Sequence, residues 1–178
     1  FLNFNIKKPN SNRKMELITR NTIASNNLYT NFSSISGTIN NYSYYMFYNF
    51  KRGDGFRPNS NFSSDNFYSY LGWKLNNKIN FSFELTYLNY LAQQPGGLTD
   101  GMFNLDMFQS NRERNWFNVN WLLYNFKTNF YLSNSTEIIF SAFALDASRN
   151  SVGFRSNRVS QIDSQQESIA SERKILVG

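Results

Sequence analysis

The chain has 178 residues, a length that fits one domain, and carries 18 Lys and Arg against 12 Asp and Glu, a formal net charge of +6. It contains neither cysteine nor histidine, which excludes disulfides, thiolate metal sites, catalytic thiols and every imidazole mechanism. Charged residues are 17% of the chain and aromatics 18%; so many aromatics fit intrinsic disorder badly, and no run approaches the ~18 consecutive apolar residues of a spanning helix.

Mean hydropathy is polar, −0.53, although Phe, Tyr and Trp are abundant. Transmembrane β-strands combine these properties, because they alternate lipid-facing with lumen-facing residues and carry aromatic girdles. The basic residues are scattered in pairs such as Lys7-Lys8 and Lys51-Arg52, not clustered into a nucleic-acid footprint. Without His or Cys, no catalytic set is evident, and the chain reads as a non-enzyme without a cofactor.

The chain opens Phe1-Leu2-Asn3-Phe4 without a signal peptide, and it closes inside an apolar run, Lys174 to Gly178. Both ends are expected to be cuts in a longer protein. Lys14–Ile23 and Leu28–Gly37 are the first strand candidates, joined over Ala24-Ser25-Asn26-Asn27. Tyr42–Lys51 is an aromatic strand entered from Asn40-Asn41. Phe67, Leu71, Trp73 and Leu75 then share one face, and Tyr68, Tyr70, Gly72 and Lys74 the other. After Asn76-Asn77-Lys78, a connection whose asparagines tolerate positive φ, the alternation is clearest. Ile79, Phe81, Phe83, Leu85, Tyr87 and Leu91 oppose Asn80, Ser82, Glu84 and Thr86. Trp116–Leu132 alternates Phe117, Val119, Trp121 and Leu123 against Asn118 and Asn120, then turns over Ser133-Asn134-Ser135 into Thr136–Ala147. A last strand is expected from Arg173.

Phe67, Leu71, Trp73, Phe81, Phe83, Leu85, Phe117, Val119 and Trp121 are therefore expected to face lipid. Lys74, Ser82, Glu84, Asn118 and Asn120 are expected to face inward. The connections at Asn40, Asn76 and Asn134 are short, whereas Arg52–Asp65, Ala92–Arg114 and Ser148–Glu172 are long. Alternating short turns and long loops place all the long ones at one end, as in an outer-membrane barrel. The short Ala24 connection is the exception. The expected fold is an all-β antiparallel meander of about seven to eight strands, part of a transmembrane barrel. A soluble sandwich shares the alternation but has no reason to lengthen its loops at one end.

Three loop stretches carry a resemblance. The first is Arg52-Gly53-Asp54-Gly55-Phe56-Arg57-Pro58-Asn59-Ser60. The second is Gln93-Gln94-Pro95-Gly96-Gly97-Leu98-Thr99-Asp100, followed by Gln109-Ser110-Asn111-Arg112-Glu113-Arg114-Asn115-Trp116-Phe117. Asn150-Ser151-Val152-Gly153-Phe154 is the third. In that order the chain resembles the TonB-dependent outer-membrane receptors, in the branch of ferric-citrate receptors. The resemblance implies that residues 1–13 end the plug and link it to the barrel, and that 14–178 are the first part of a barrel of 22 strands. It further implies a Gram-negative outer membrane, contact with membrane lipid and lipopolysaccharide, the remaining barrel and plug, and a TonB complex reached through a more N-terminal segment. The implied ligand is an anionic metal chelate such as ferric citrate or another siderophore.

Arg52, Arg57, Arg112 and Arg114 offer rigid donor forks suited to such an anion. Gln93 and Gln94 add hydrogen-bonding side chains, and Asn115 and Trp116 mark the rim; these eight residues form the candidate ligand site. The arginines equally suit lipopolysaccharide phosphates. The competing reading is a self-contained eight-strand barrel serving as an adhesin or anchor. The tripeptide Arg52-Gly53-Asp54 reads as a turn.

Overall fold

The computed structural model describes residues 6–154 and 168–177. It consists of one eight-stranded antiparallel sheet in the order β1-β2-β3-β4-β5-β6-β7-β8. The strands are β1 Glu16–Ala24, β2 Leu28–Ile39, β3 Tyr42–Gly53, β4 Phe62–Lys74, β5 Ile79–Gln93, β6 Trp116–Ser133, β7 Thr136–Gly153 and β8 Ser168–Val177. One short helix, α1 (Asp100–Leu105), interrupts the meander. β1 pairs only with β2 and β8 only with β7 among the described residues, so the sheet is not closed. Among the described residues no second layer packs on it, as a sandwich would require.

Local chemistry sets the turns. Asn26, Asn27 and Asn40 adopt positive φ of 56°, 53° and 53°, a region asparagine tolerates better than most residues. Asn76 Oδ1 accepts from the Lys78 and Ile79 N–H groups at 2.8 and 3.0 Å, which closes the β4–β5 hairpin. Three strand limits differ from the sequence reading. β4 starts at Phe62, β7 runs on to Gly153, and β8 begins at Ser168 rather than Arg173. The third loop thus shortens to 154–167, most of which lies outside the described residues, as do residues 1–5 of the expected plug segment.

Cross-strand pairing fixes the faces, because paired residues share one side of a sheet. One side carries Tyr42–Trp73–Phe81 in register, then Tyr44–Leu71–Phe83–Phe126, then Ile35–Met46–Ser69–Leu85–Tyr124. Tyr42 stacks on Trp73 at 5.9 Å and 10°, and Trp73 lies 5.7 Å from Phe81. Above these rows the same side turns polar along Asn21–Asn31 and Asp65–Asn89–Asn120–Ser148. Asp146, just below that row, is neutralised by Arg173 at 2.5 Å. This is the outer face.

The inner face is mixed: small and polar residues such as Ser34, Ser36, Glu84 and Lys127 share it with aromatic side chains such as Phe32 and Phe47. Ser34, Ser36, Tyr45, Ser64 and Tyr68 are buried on it, and Tyr68 Oη donates to Glu84 at 3.2 Å. The leading segment crosses this side. Lys7 Nζ lies 5.8 Å from the Tyr45 ring centre and 3.5 Å from Glu16, and Thr38 Oγ1 donates to the Asn10 carbonyl at 3.0 Å.

β6 corrects the expected orientation. Phe117, Val119 and Trp121 pair with Ala92, Tyr90 and Leu88, so they share the inner face with Glu84 and Lys74. Asn118 and Asn120 pair with Leu91 and Asn89 on the outer face. The reason is length. β6 has 18 residues, far more than the ~9–11 that cross a bilayer. Its polarity inverts along the strand: Leu122, Tyr124 and Phe126 carry the apolar outer face lower down, where Asn125 and Lys127 face inward. The other expected assignments hold: Phe67, Leu71, Trp73, Phe81, Phe83 and Leu85 are outer, and Lys74, Ser82 and Glu84 are inner.

Candidate functional site

The long connections, 54–61 and 94–115, leave the same end of the sheet and are bound to each other. Arg57 reaches across to donate to the Gly96 carbonyl and, at 3.4 Å, to that of Gln109. Asn59, held at φ 58°, donates from its amide to Ser110 Oγ at 3.0 Å. The second loop also closes on itself. The Asn111 N–H donates to the Pro95 carbonyl at 2.9 Å, and its side-chain amide to that of Gly97 at 2.8 Å. Gly96 sits at φ +81°, and a Cβ there would meet Arg112 Cγ at 3.0 Å. A larger residue would therefore meet both backbone strain and a crowded neighbour.

Arg112 is 6% exposed, donates to the Asn111 carbonyl at 2.7 Å and lies 5.1 Å from the Phe154 ring. Asn115 fixes the end of β7: its amide donates to the Phe154 carbonyl at 2.7 Å, and its Oδ1 accepts from the Phe154 N–H at 2.9 Å. Gly153 makes this possible at φ +120°, because a Cβ there would collide with Asn115. Each of these hydrogen bonds contributes about 0.5–1.5 kcal/mol, and those from guanidinium somewhat more.

The structure thus divides the eight sequence-predicted residues. Arg57, Arg112 and Asn115 tie the loops together. Gln93 pairs with Asn61, donating to its carbonyl at 2.8 Å and accepting from its N–H at 3.3 Å. The Gln94 N–H donates to the Asn115 carbonyl at 2.9 Å, and its side chain is exposed. Arg114 is half-buried at the base of the loop and engaged with its surroundings. Arg52 and Trp116 line one cavity, but on the outer face: Arg52 pairs with Tyr29 and Ser63, and Trp116 with Gln93 and Val152.

Two inward cations escaped the sequence reading. Lys51 pairs with Thr30 and Ser64, and Arg149 with Val119, in the row below the loops on the inner face. The Arg149 guanidinium lies 4.8 Å from the Phe117 ring centre. Strand parity carried the signal: with Tyr44, Met46 and Tyr48 outward, residue 52 must follow them and residue 51 must turn inward.

An open antiparallel meander with an apolar outer face and long loops gathered at one end resembles the fold of an outer-membrane β-barrel protein. Against solved structures, 80% of the chain matches 22% of the ferric citrate transporter FecA, in a crystal structure of its unliganded form, with a TM-score of 0.67 and 19% sequence identity. The chain thus spans 22% of that protein's length, and at this identity the likeness is one of fold. No protein-family model matches the chain, and no curated protein matches its sequence.

Proposed function

We propose that this chain forms part of the wall of an outer-membrane transport barrel in a Gram-negative bacterium, a receptor of the TonB-dependent kind. The observation that carries the reading is the two-sided sheet: a belt of aromatic and aliphatic residues outside, and a mixed polar and aromatic wall crossed by the leading segment inside. Only a membrane rewards an unpartnered belt of this kind, since in water it would be a large exposed apolar patch. The open sheet supports a wall segment over a self-contained eight-strand barrel, because unpaired edges are costly in lipid.

The cargo in this reading is an anionic metal chelate of the ferric-citrate or siderophore type. Arg57, Arg112 and Asn115 shape the loop cluster that meets it, and Lys51 and Arg149 present positive charge on the inner wall below. Arg114 and the exposed Gln94 stand at the base of the second loop and complete the set. Its partners are outer-membrane lipid and lipopolysaccharide, the remaining barrel and plug, and the TonB complex. The test is uptake of radiolabelled ferric citrate by cells relying on this receptor. Saturable, energy-dependent uptake supports the reading, and a protein that fractionates with soluble proteins contradicts it.

A further inference from the structure

The β1–β2 connection is short where its neighbours are long, and the notch it leaves forms a groove of about 680 Å³ at the loop end of the sheet. Its lining combines three aromatic side chains, Tyr29, Phe62 and Trp116, with Arg52, Asp54 and Asn61. Ile23 and Leu91, in the same cross-strand row as Tyr29 and Arg52, add apolar surface to it. Ile23, Tyr29, Arg52 and Leu91 all belong to the outer face, one row above the polar row through Asn31, Asp65 and Asn89. The groove therefore stands just where the apolar belt has ended.

Its polar groups are held in place. Asn27 Nδ2 donates to Asp54 Oδ2 at 2.5 Å, and the Arg52 guanidinium lies 5.8 Å from the Tyr29 ring centre, with no ion pair among the described residues. One cation beside one carboxylate is poorly matched to a phosphate, which a cluster of cations binds best. A hydroxylated ring uses the whole set: its C–H face packs on an aromatic side chain, and its hydroxyls meet amide, carboxylate and guanidinium groups.

We propose that this groove binds the sugar headgroup of a glycolipid whose acyl chains lie along the apolar belt below. The proposal rests on the reading that the outer face meets lipid.

The experiment uses the full-length protein labelled with fluorotryptophan in vesicles of phosphatidylethanolamine and phosphatidylglycerol. It is titrated with dodecyl maltoside, with dodecyl dimethylamine oxide as a sugar-free amphiphile, and with free maltose. The fluorine resonance of Trp116, assigned through Trp116→Phe, is expected to shift saturably with the maltoside and not with the amine oxide. Free maltose should bind at least ~10-fold more weakly, because anchoring in the bilayer raises the effective concentration of the headgroup. Arg52→Gln and Asn61→Ala should each weaken maltoside binding roughly tenfold, the scale of one lost hydrogen bond to a charged or buried partner.

An equal response to the amine oxide, or none to the maltoside, overturns the proposal. Equal binding of free maltose overturns the glycolipid in favour of a soluble sugar. Quenching of Trp73 by brominated phospholipid separates the two readings. If Trp73 is quenched while Trp116 stays silent, the sugar site alone falls; if Trp73 is not quenched, both fall.

Discussion

Placing arginine at Leu85 tests the height and orientation of the belt together. Leu85 faces outward between Ser69 of β4 and Tyr124 of β6. The girdle residue Phe81 lies four residues before it on the same face, and the polar Asn89 four residues after. At ~3.4 Å per residue those eight steps cover about 27 Å along the strand. With the usual tilt of ~40° this is about 21 Å of membrane depth, close to the ~25 Å band of such barrels. Leu85 is then near the midplane, where an outward arginine costs about 2–4 kcal/mol. That corresponds to a roughly 30- to 700-fold shift in the folding equilibrium. Thr86, the next residue, pairs with Tyr68 and Leu123 on the inner face and provides the control at the same depth. Urea unfolding of the protein from phospholipid vesicles should show the loss for Leu85→Arg and far less for Thr86→Arg. Equal stability of the two variants would refute the assignment of faces.

Other residues give separate tests. Asn115→Ala removes both side-chain bonds to Phe154, and amide exchange at Phe154 should accelerate by about tenfold, the scale of a lost buried hydrogen bond. Gly153→Ala should loosen the same junction, since φ +120° and the Asn115 side chain both oppose a Cβ; unaltered exchange in this variant would count against the junction. Arg57→Gln should expose the connection 94–115 to limited proteolysis while the strands still assemble, because Arg57 bridges to Gly96 and Gln109. In the intact receptor, Lys51→Ala with Arg149→Ala should weaken chelate binding at least ~10-fold. Arg52→Ala, on the opposite face, should leave that binding unchanged in isothermal titration.

Strands and turns were legible because each rests on local chemistry, such as period-two alternation in β5 and asparagine-rich connections; positive φ, however, falls at Asn26, Asn27 and Asn40 and not at Asn76 or Asn77, where the Asn76 side chain caps its own hairpin instead. The faces of β6 were not read correctly. Its first half lies beyond the apolar belt, where Asn118 and Asn120 face outward, and its second half lies within the belt. The adjacent apolar pair Leu122-Leu123 marks the change of side, but only pairing with β5 shows which half is which. The site was hidden for a related reason. Arg57 finds its acceptor 39 residues away at Gly96, and Arg112 is buried against Phe154. Neither contact leaves a trace in spacing. The adjacent cations Lys51 and Arg52 look equivalent as sequence, yet the pleat turns them to opposite faces.

The most direct test of the central claim is a nitroxide scan through β5, Ile79–Gln93, with the protein in phospholipid vesicles. Collision with oxygen, which concentrates in the bilayer, should alternate with period two. It should be high at residues 81, 83, 85 and 87, low at 82, 84 and 86, and should fade from residue 89, where the outer face becomes polar. Alternation in the opposite phase, or uniform exposure to a water-soluble collider at all of these positions, would contradict a membrane-spanning wall.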